Sequence, residues 1–284
     1  MSIEIKNISK NFGGTCALDR VTLSLGDNKI YGLLGNNGAG KSTLLSILTN
    51  RLYPGGGSVT VDGQPVANND QALGKIFLVS EKNMFPDDMR VKSALDAVAH
   101  FYPAFDRAYA EKLADKFRLD TKQKIKALST GYGSIFRLIL GLSVNTPYLL
   151  FDEPVLGLDA RHRDMFYRTL MEKYTEKPCT VLISTHLIAE AAELIEHAVI
   201  IRNGRILRDC PGEELLSGAY AVSGPSALVD SYIEGKRVLS INTVGGLKTA
   251  ALQGERDALP AGLEVSRINL QDYFISLMEE EDKK

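Results

Sequence analysis

Apolar and polar positions alternate at the start of the chain. Over residues 2–8 the apolar set is Ile3, Ile5 and Ile8, and residues 21–25 read Val-Thr-Leu-Ser-Leu, so both segments predict strands. Residues 29–34 predict a third strand that runs into a glycine-rich turn. The period then changes. Leu44, Leu45, Ile47 and Leu48 fit the buried face of a helix over residues 41–52, and Pro54-Gly55-Gly56-Gly57 breaks it. A short strand over 58–62, a turn at Asp62-Gly63 and a buried strand over 75–80 follow.

From about residue 91 to 142 the pattern is helical, with Ala94, Leu95, Val98, Phe101, Leu113 and Phe117 recurring at helical spacing. Strand-like runs return at 148–151, 180–184 and 198–201, with helices predicted over 159–174 and 187–196. This alternation predicts a mostly parallel sheet covered by helices, an α/β fold. Cys210-Pro211-Gly212 marks a boundary, giving a domain over 1–210 and an appended module over 211–284. The module reads as α+β: a strand at 219–223, a helix at 225–233, a hairpin of 238–242 and 247–252 about Gly245-Gly246, a strand at 263–268 and an amphipathic helix at 270–278. The acidic end, 279–282, reads as a solvated tail.

Composition acts mainly by exclusion. The chain has 284 residues, enough for about two domains and a proper core without staples. Its 33 Lys+Arg against 35 Asp+Glu argue against a surface built throughout for nucleic acid or anionic lipid. The most apolar stretch, 135–151, is interrupted by Arg137, Asn145, Thr146 and Pro147, so no membrane span is expected. The first ten residues lack the apolar core of a secretory signal. Cys16, Cys179 and Cys210 are far apart and form no zinc spacing, which suits reduced thiols in a cytoplasmic protein. If the protein works at a membrane, another chain must supply the span.

Three motifs carry chemistry. Gly35-Asn36-Asn37-Gly38-Ala39-Gly40-Lys41-Ser42-Thr43 matches GxxxxGK[ST] between a predicted strand and a predicted helix. Such a loop turns successive N–H groups into one concavity, and the helix end adds positive dipole. Lys41 is placed to reach the β- and γ-phosphates and Ser42 to ligate Mg²⁺. The apolar run Tyr148-Leu149-Leu150-Phe151 ends in Asp152 and Glu153, one carboxylate for Mg²⁺ and one to orient or deprotonate the attacking water. Ser184-Thr185-His186 ends another buried strand, and His186 is positioned to sense the γ-phosphate. His100, His162 and His197 read as structural or surface residues.

With Leu128-Ser129-Thr130-Gly131-Tyr132 and Gly157-Leu158-Asp159 in the same order, the chain resembles an ATP-binding cassette (ABC) ATPase over about residues 2–210. The resemblance implies a P-loop NTPase core with a helical subdomain over about 86–144, binding ATP and Mg²⁺. It implies head-to-tail dimerisation with a second ATPase subunit, identical or different, around two ATP molecules. Phe12 then matches the aromatic that stacks on adenine, with Gly13, Ala17 and Leu18 around it. Ser129 and the Gly131 N–H match the signature-loop donors to the opposite subunit's γ-phosphate, and Asp159 the loop bridging the two sites.

Two departures stand out. Glu81 occupies the place of the family's Gln and is a candidate Mg²⁺ ligand bearing an extra charge. Thr130 and Tyr132 replace Gly and Gln of the signature. The tail looks like subunits of ABC-2-type exporters. The resemblance thus implies the ATPase subunit of a transporter, peripheral on the inner face of the membrane, driving a separate transmembrane permease. Met84, Phe85, Pro86 and Met89 are the candidate docking residues, and no nucleic-acid partner is expected. The rival is a soluble cassette ATPase acting on ribosomes or DNA. Such translation factors usually carry two cassettes, and the DNA-repair kind inserts long coiled coils where only 88 residues separate Lys41 from Ser129. A P-loop kinase or GTPase fits less well, since no NKxD motif is present.

Overall fold

The computed structural model describes residues 1–282, the side chains of 280–282 excepted. They form two compact units: residues 1–186 with 194–209, and residues 187–193 with the chain from 210 onward.

The first unit opens with a hairpin of β1 (Ser2–Phe12) and β2 (Thr15–Gly26), followed by β3 (Ile30–Leu34) and α1 (Lys41–Leu48). Helix α1 stops four residues short of the expected end because Asn50 turns left-handed, φ 52°, which closes the helix. Strand β4 (Gly56–Val61) begins inside the glycine run that reads as a break. Gly57 lies at φ 86°, and a Cβ there would sit 2.4 Å from the Lys6 carbonyl oxygen. Glycine is present because the strand passes close to an irregular stretch of β1, where Asn7 is itself left-handed. Then come β5 (Gln64–Pro65), α2 (Asp70–Leu73) and β6 (Ile76–Val79).

The middle of this unit is helical, as its spacing predicts: α3 (Val91–Phe101), α4 (Arg107–Lys116), a 3₁₀ turn at Ile125–Ala127 and α5 (Thr130–Ser143). Strand β7 (Tyr148–Asp152), α6 (Ala160–Glu176) and β8 (Thr180–Thr185) follow. The expected helix over 187–196 shrinks to α7 (Ile188–Ala191), whose N-cap, Leu187, makes no side-chain capping bond. Strand β9 (His197–Arg202) then turns through Asn203 and Gly204, both left-handed, into β10 (Arg205–Pro211).

These strands form two sheets where the alternation predicts one. The first is antiparallel, in the order β2-β1-β4-β5. The second runs β10-β9-β3-β8-β7-β6, with β9, β3, β8, β7 and β6 parallel. Strands β3 and β8 are buried at every position, as apolar runs covered on both faces must be. Ile3, Ile5, Val61, Leu33, Leu44, Leu150, Leu182 and Val199 belong to one buried cluster that joins the two sheets and α1. Each such side chain contributes about 1.5–3 kcal/mol of burial. Because β3, β8 and β7 are neighbours and parallel, their C-terminal ends open on the same edge, where α/β sheets place ligands.

The second unit contains α7, α8 (Gly212–Leu215), β11 (Ala219–Pro225), α9 (Ser226–Ile233), β12 (Arg237–Val244), β13 (Leu247–Gln253), β14 (Glu264–Arg267) and α10 (Leu270–Asp282). Its sheet runs β12-β13-β11-β14. Strand β13 pairs antiparallel with both β11 and β12, so α9 links two parallel strands with a third between them. Val222, Val229, Ala250 and Leu252 are buried in its core with Tyr220, Tyr232 and Leu263. The acidic end continues α10; the side chains of residues 280–282 lie outside the described ones.

Candidate functional site

Residues 35–40 leave β3 as a turn and return as α1. Gly40 caps the helix at φ 109° with no side-chain hydrogen bond, and a Cβ there would lie 2.6 Å from the Ala17 carbonyl oxygen. The first N–H groups of α1 have no carbonyl one turn earlier to bond. They open into a concavity of about 170 Å³ lined by the loop, Ala17 and Glu153. Lys41 is only 5% exposed. Its Nζ donates to the carbonyls of Gly35 (2.6 Å) and Asn36 (3.3 Å) and lies 3.3 Å from Glu153 Oε1. A cation folded against a ring of N–H groups is an anion site before any anion arrives.

The carboxylates sit at the end of β7. Asp152 Oδ1 accepts from Ser184 Oγ at 3.1 Å, and Ser42 also hydrogen-bonds this carboxylate. Burial pushes the Asp152 carboxyl above its usual range and the Glu153 charge adds to this, against the hydroxyls and Lys41. Glu153 is left-handed at φ 48°, a backbone strain of about 1 kcal/mol for a non-glycine residue. The turn is fixed by its amide, which donates to the Ser184 carbonyl at 2.9 Å. Glu153 Oε2 lies 2.9 Å from His186 Nδ1 and accepts from the His186 amide at 3.4 Å. The Glu153 carboxylate is therefore braced between Lys41 and His186. His186 Nδ1 and Glu153 Oε1 are buried and in ion-pair range without hydrogen-bond alignment.

These residues suit Mg²⁺. Among the described residues no three His, Cys, Asp or Glu side chains are grouped as a metal cage. Ser42 and the desolvated Asp152 offer two oxygens at one point. Mg²⁺ typically takes one or two protein oxygens and completes its shell with waters and nucleotide phosphates.

The remaining candidates are more dispersed. Ser129 caps α5, accepting from the Tyr132 amide at 3.3 Å. Gly131 passes close to the Gly157 carbonyl, which would lie 3.2 Å from a Cβ. Asp159 caps α6 by accepting from the His162 amide at 2.9 Å, and this bond with the His162 ring holds its carboxyl below the usual range. Ser129, Gly131 and Asp159 do not line the phosphate-loop concavity. Phe12 is half exposed near the β1–β2 turn, with Lys10 Nζ 5.4 Å from its ring centre. Glu81 is exposed and lines a small cavity with Asp152 and Glu153. Met84, Phe85 and Met89 line an apolar groove of about 600 Å³ with Phe77 and Phe101, while Pro86 stays outside it.

Two residues escape the sequence reading. Ser184 is named there only as a neighbour of His186, yet its hydroxyl donates to the Asp152 carboxylate and its carbonyl accepts from the Glu153 amide; its strand-end position is the available signal. Arg137 appears only as an interruption of an apolar run. In the structure it lines the cavity of Asp152 and Glu153.

Comparison with known proteins agrees with this geometry. Residues 18–156 match the family described as ABC transporter. The chain is 32% identical over 227 residues to the probable sulfate/thiosulfate import ATP-binding protein CysA of Chlorella vulgaris, covering 76% of this chain and 93% of that one. It is 29% identical over 279 residues to the Nod factor export ATP-binding protein I of Burkholderia orbicola, covering 96% and 86%. With the ABC transporter ATP-binding protein YtrB of Bacillus subtilis the identity is 29% over 188 residues, and the chain spans only 64% of that relative's length. A solved dimeric bacterial ABC transporter cassette superposes with a TM-score of 0.66 at 23% identity, over 74% of this chain and 98% of that one, a likeness of fold.

Proposed function

The chain belongs to the ABC transporter family and is an ATPase of it; from that premise we propose that it is the ATP-driven subunit of a membrane transporter, closing with a second ATPase subunit around ATP to move a separate transmembrane permease. The observation that carries this reading is Glu153 held between the phosphate-loop lysine and His186. In the proposed cycle the loop and Lys41 bind the phosphates, and Phe12 stacks on the adenine. Ser129 and the Gly131 amide donate to the γ-phosphate bound by the opposite subunit, which closes the pair, and Asp159 bridges the two sites.

Glu153 takes a proton from water as that water bonds to the γ-phosphorus and the bond to the β-phosphate oxygen breaks. His186 holds the carboxylate in line. Ser42 and Asp152, with Glu81 as a further candidate ligand, would hold a Mg²⁺ ion, which would supply neutralisation of phosphate charge. Loss of the γ-phosphate removes the donors' target, so the pair opens. The differential affinity for ATP over ADP is what drives the switch.

The apolar groove beside Glu81 supports a permease as partner. Met84 is 58% exposed there, and adaptable Met and Phe side chains suit a docking helix. None of the described helices is long and apolar enough to cross a membrane, so the span is assigned to the partner and this chain to the inner membrane face. Residues 1–210 form the ATPase domain, with the helical subdomain over about 86–144, and 211–284 the accessory domain. Relatives named for import and export favour transport over action on ribosomes or DNA. The match over 96% of the chain to an export protein supports the exporter reading. The test is copurification from detergent-solubilised membranes. A polytopic partner chain recovered with this one is expected; recovery with ribosomes and never with a membrane chain would contradict it.

A further inference from the structure

Glu81 adds a carboxylate to a cavity of about 50 Å³ that Asp152 and Glu153 already line. Three acids around a space that holds a water or two repel one another unless a cation stands among them. Lys41 is committed to Glu153 and to the loop's own carbonyls. Arg137 is the cation that lines this same cavity. It also lines, with Glu81, a second cavity of about 290 Å³ beside Ser129. The two side chains thus face two common spaces.

The surroundings of Arg137 are unusual for a guanidinium. It sits on α5 in a run where Ser134, Ile135, Phe136, Leu138, Ile139 and Leu140 are all buried. Among the described residues it makes one hydrogen bond, from Nη2 to the Ser134 hydroxyl at 3.0 Å. A guanidinium has five N–H donors, and desolvating it against one neutral acceptor is costly without a nearby anion. Burial pushes its pKa down, and the Glu81 charge pushes it back up. Ser134 in turn donates to the Leu156 carbonyl at 3.2 Å, three residues beyond Glu153. Ser134, to which Arg137 donates, therefore ties the signature helix to the segment that carries the hydrolytic carboxylates.

We propose that Arg137 is a positioning residue of the ATPase site, the counter-charge that keeps Glu81 compatible with Asp152 and Glu153 in one small cavity. The proposal rests on the ATPase reading of the site and assigns a role to the Glu81 departure. The positive charge offsets the third carboxylate, so Asp152 and Glu153 keep their places while Glu81 stays free to turn toward the phosphates.

A double-mutant cycle tests it on the full chain, with wild type, E81Q, R137M and the double variant. The first readout is thermal unfolding without nucleotide. R137M is expected to lower the midpoint by several degrees, and by less than half as much when E81Q is present. The second is ATP hydrolysis with Mg²⁺. R137M is expected to lower kcat about tenfold with KM for ATP within about twofold, and adding E81Q should recover to within about threefold of E81Q alone. R137K, which keeps charge and stem, should retain most of the activity and keeps the test informative if R137M does not fold. Equal losses from R137M with and without E81Q would overturn the pairing, as would R137K behaving like R137M. A wild-type chain that hydrolyses no ATP would count against the ATPase site itself; the unfolding cycle uses no nucleotide and judges the pair alone.

Discussion

The phosphate loop and the signature loop are both helix N-termini on one chain, and they are built differently. At the phosphate loop the cap is a left-handed glycine with no side-chain bond, and a lysine 5% exposed lies behind it. At the signature loop the cap is Ser129, whose hydroxyl already accepts from the Tyr132 amide, and the first turn carries no cation. The first end is open and charged, which makes it the half that supplies affinity. The second is satisfied without a ligand and offers a hydroxyl proton and one amide. In the proposed cycle it adds little binding alone and discriminates ATP from ADP once another subunit presents a γ-phosphate.

The largest effect expected is on the charged half. Lys41→Ala should raise the Kd for ATP by about a hundredfold or more, read by calorimetry, because a buried charge-assisted contact to phosphate is lost. An unchanged Kd would erase the distinction drawn above. Ser129→Ala and Ser129→Gly sharpen it. Both should leave ATP binding to the single chain within about twofold while weakening ATP-dependent association about tenfold or more. They should differ in stability: alanine costs about 1 kcal/mol as a lost cap, glycine only a few tenths. If both lose ATP affinity equally, the signature end is part of the primary site.

Phe12→Ala should weaken ATP about threefold to tenfold, with little change for triphosphate alone, as loss of a stacking contact does. The smallest effect on function lies at the other end of β7. Tyr148 OH donates to Asp62 at 2.6 Å, as does Lys75 Nζ at 2.6 Å. Burial alone would raise the Asp62 carboxyl, but the bonds from Lys75 and Tyr148 outweigh it and hold it below its usual range. That stabilisation is present above the unfolded carboxyl's pKa, near 3.9, and is lost as pH falls through the folded value. Tyr148→Phe should cost about 1–2 kcal/mol near neutral pH, a gap that narrows below about pH 4, with ATP binding unchanged. Denaturant melts across pH would show it.

Much of this was legible in the residues. The phosphate loop reads directly because its glycines and lysine have one physical use in that order. The buried strands β3, β7 and β8 read as continuous apolar runs, and their polar ends, Asp152-Glu153 and Thr185-His186, announce the edge where the site lies. Pairing did not read as well. The alternation over 2–8 and 21–25 predicts strands but not that they form an antiparallel sheet of their own. Gly57 looks like part of a break because glycine signals turns, whereas here the close approach of β1 demands it. Arg137 reads as an interruption because periodicity reports which face is buried and says nothing of which carboxylates share the space.

The contrast between an affinity half and a discriminating half is tested most directly by Glu153→Gln. That change removes the proton acceptor while keeping shape and leaving the phosphate loop, Ser129 and Gly131 intact. Light scattering on the eluting peak of a gel-filtration column, with and without ATP, reads the outcome. A shift to twice the monomer mass with ATP but not with ADP is the expected result. A variant that stays monomeric and hydrolyses ATP at the wild-type rate would contradict the account.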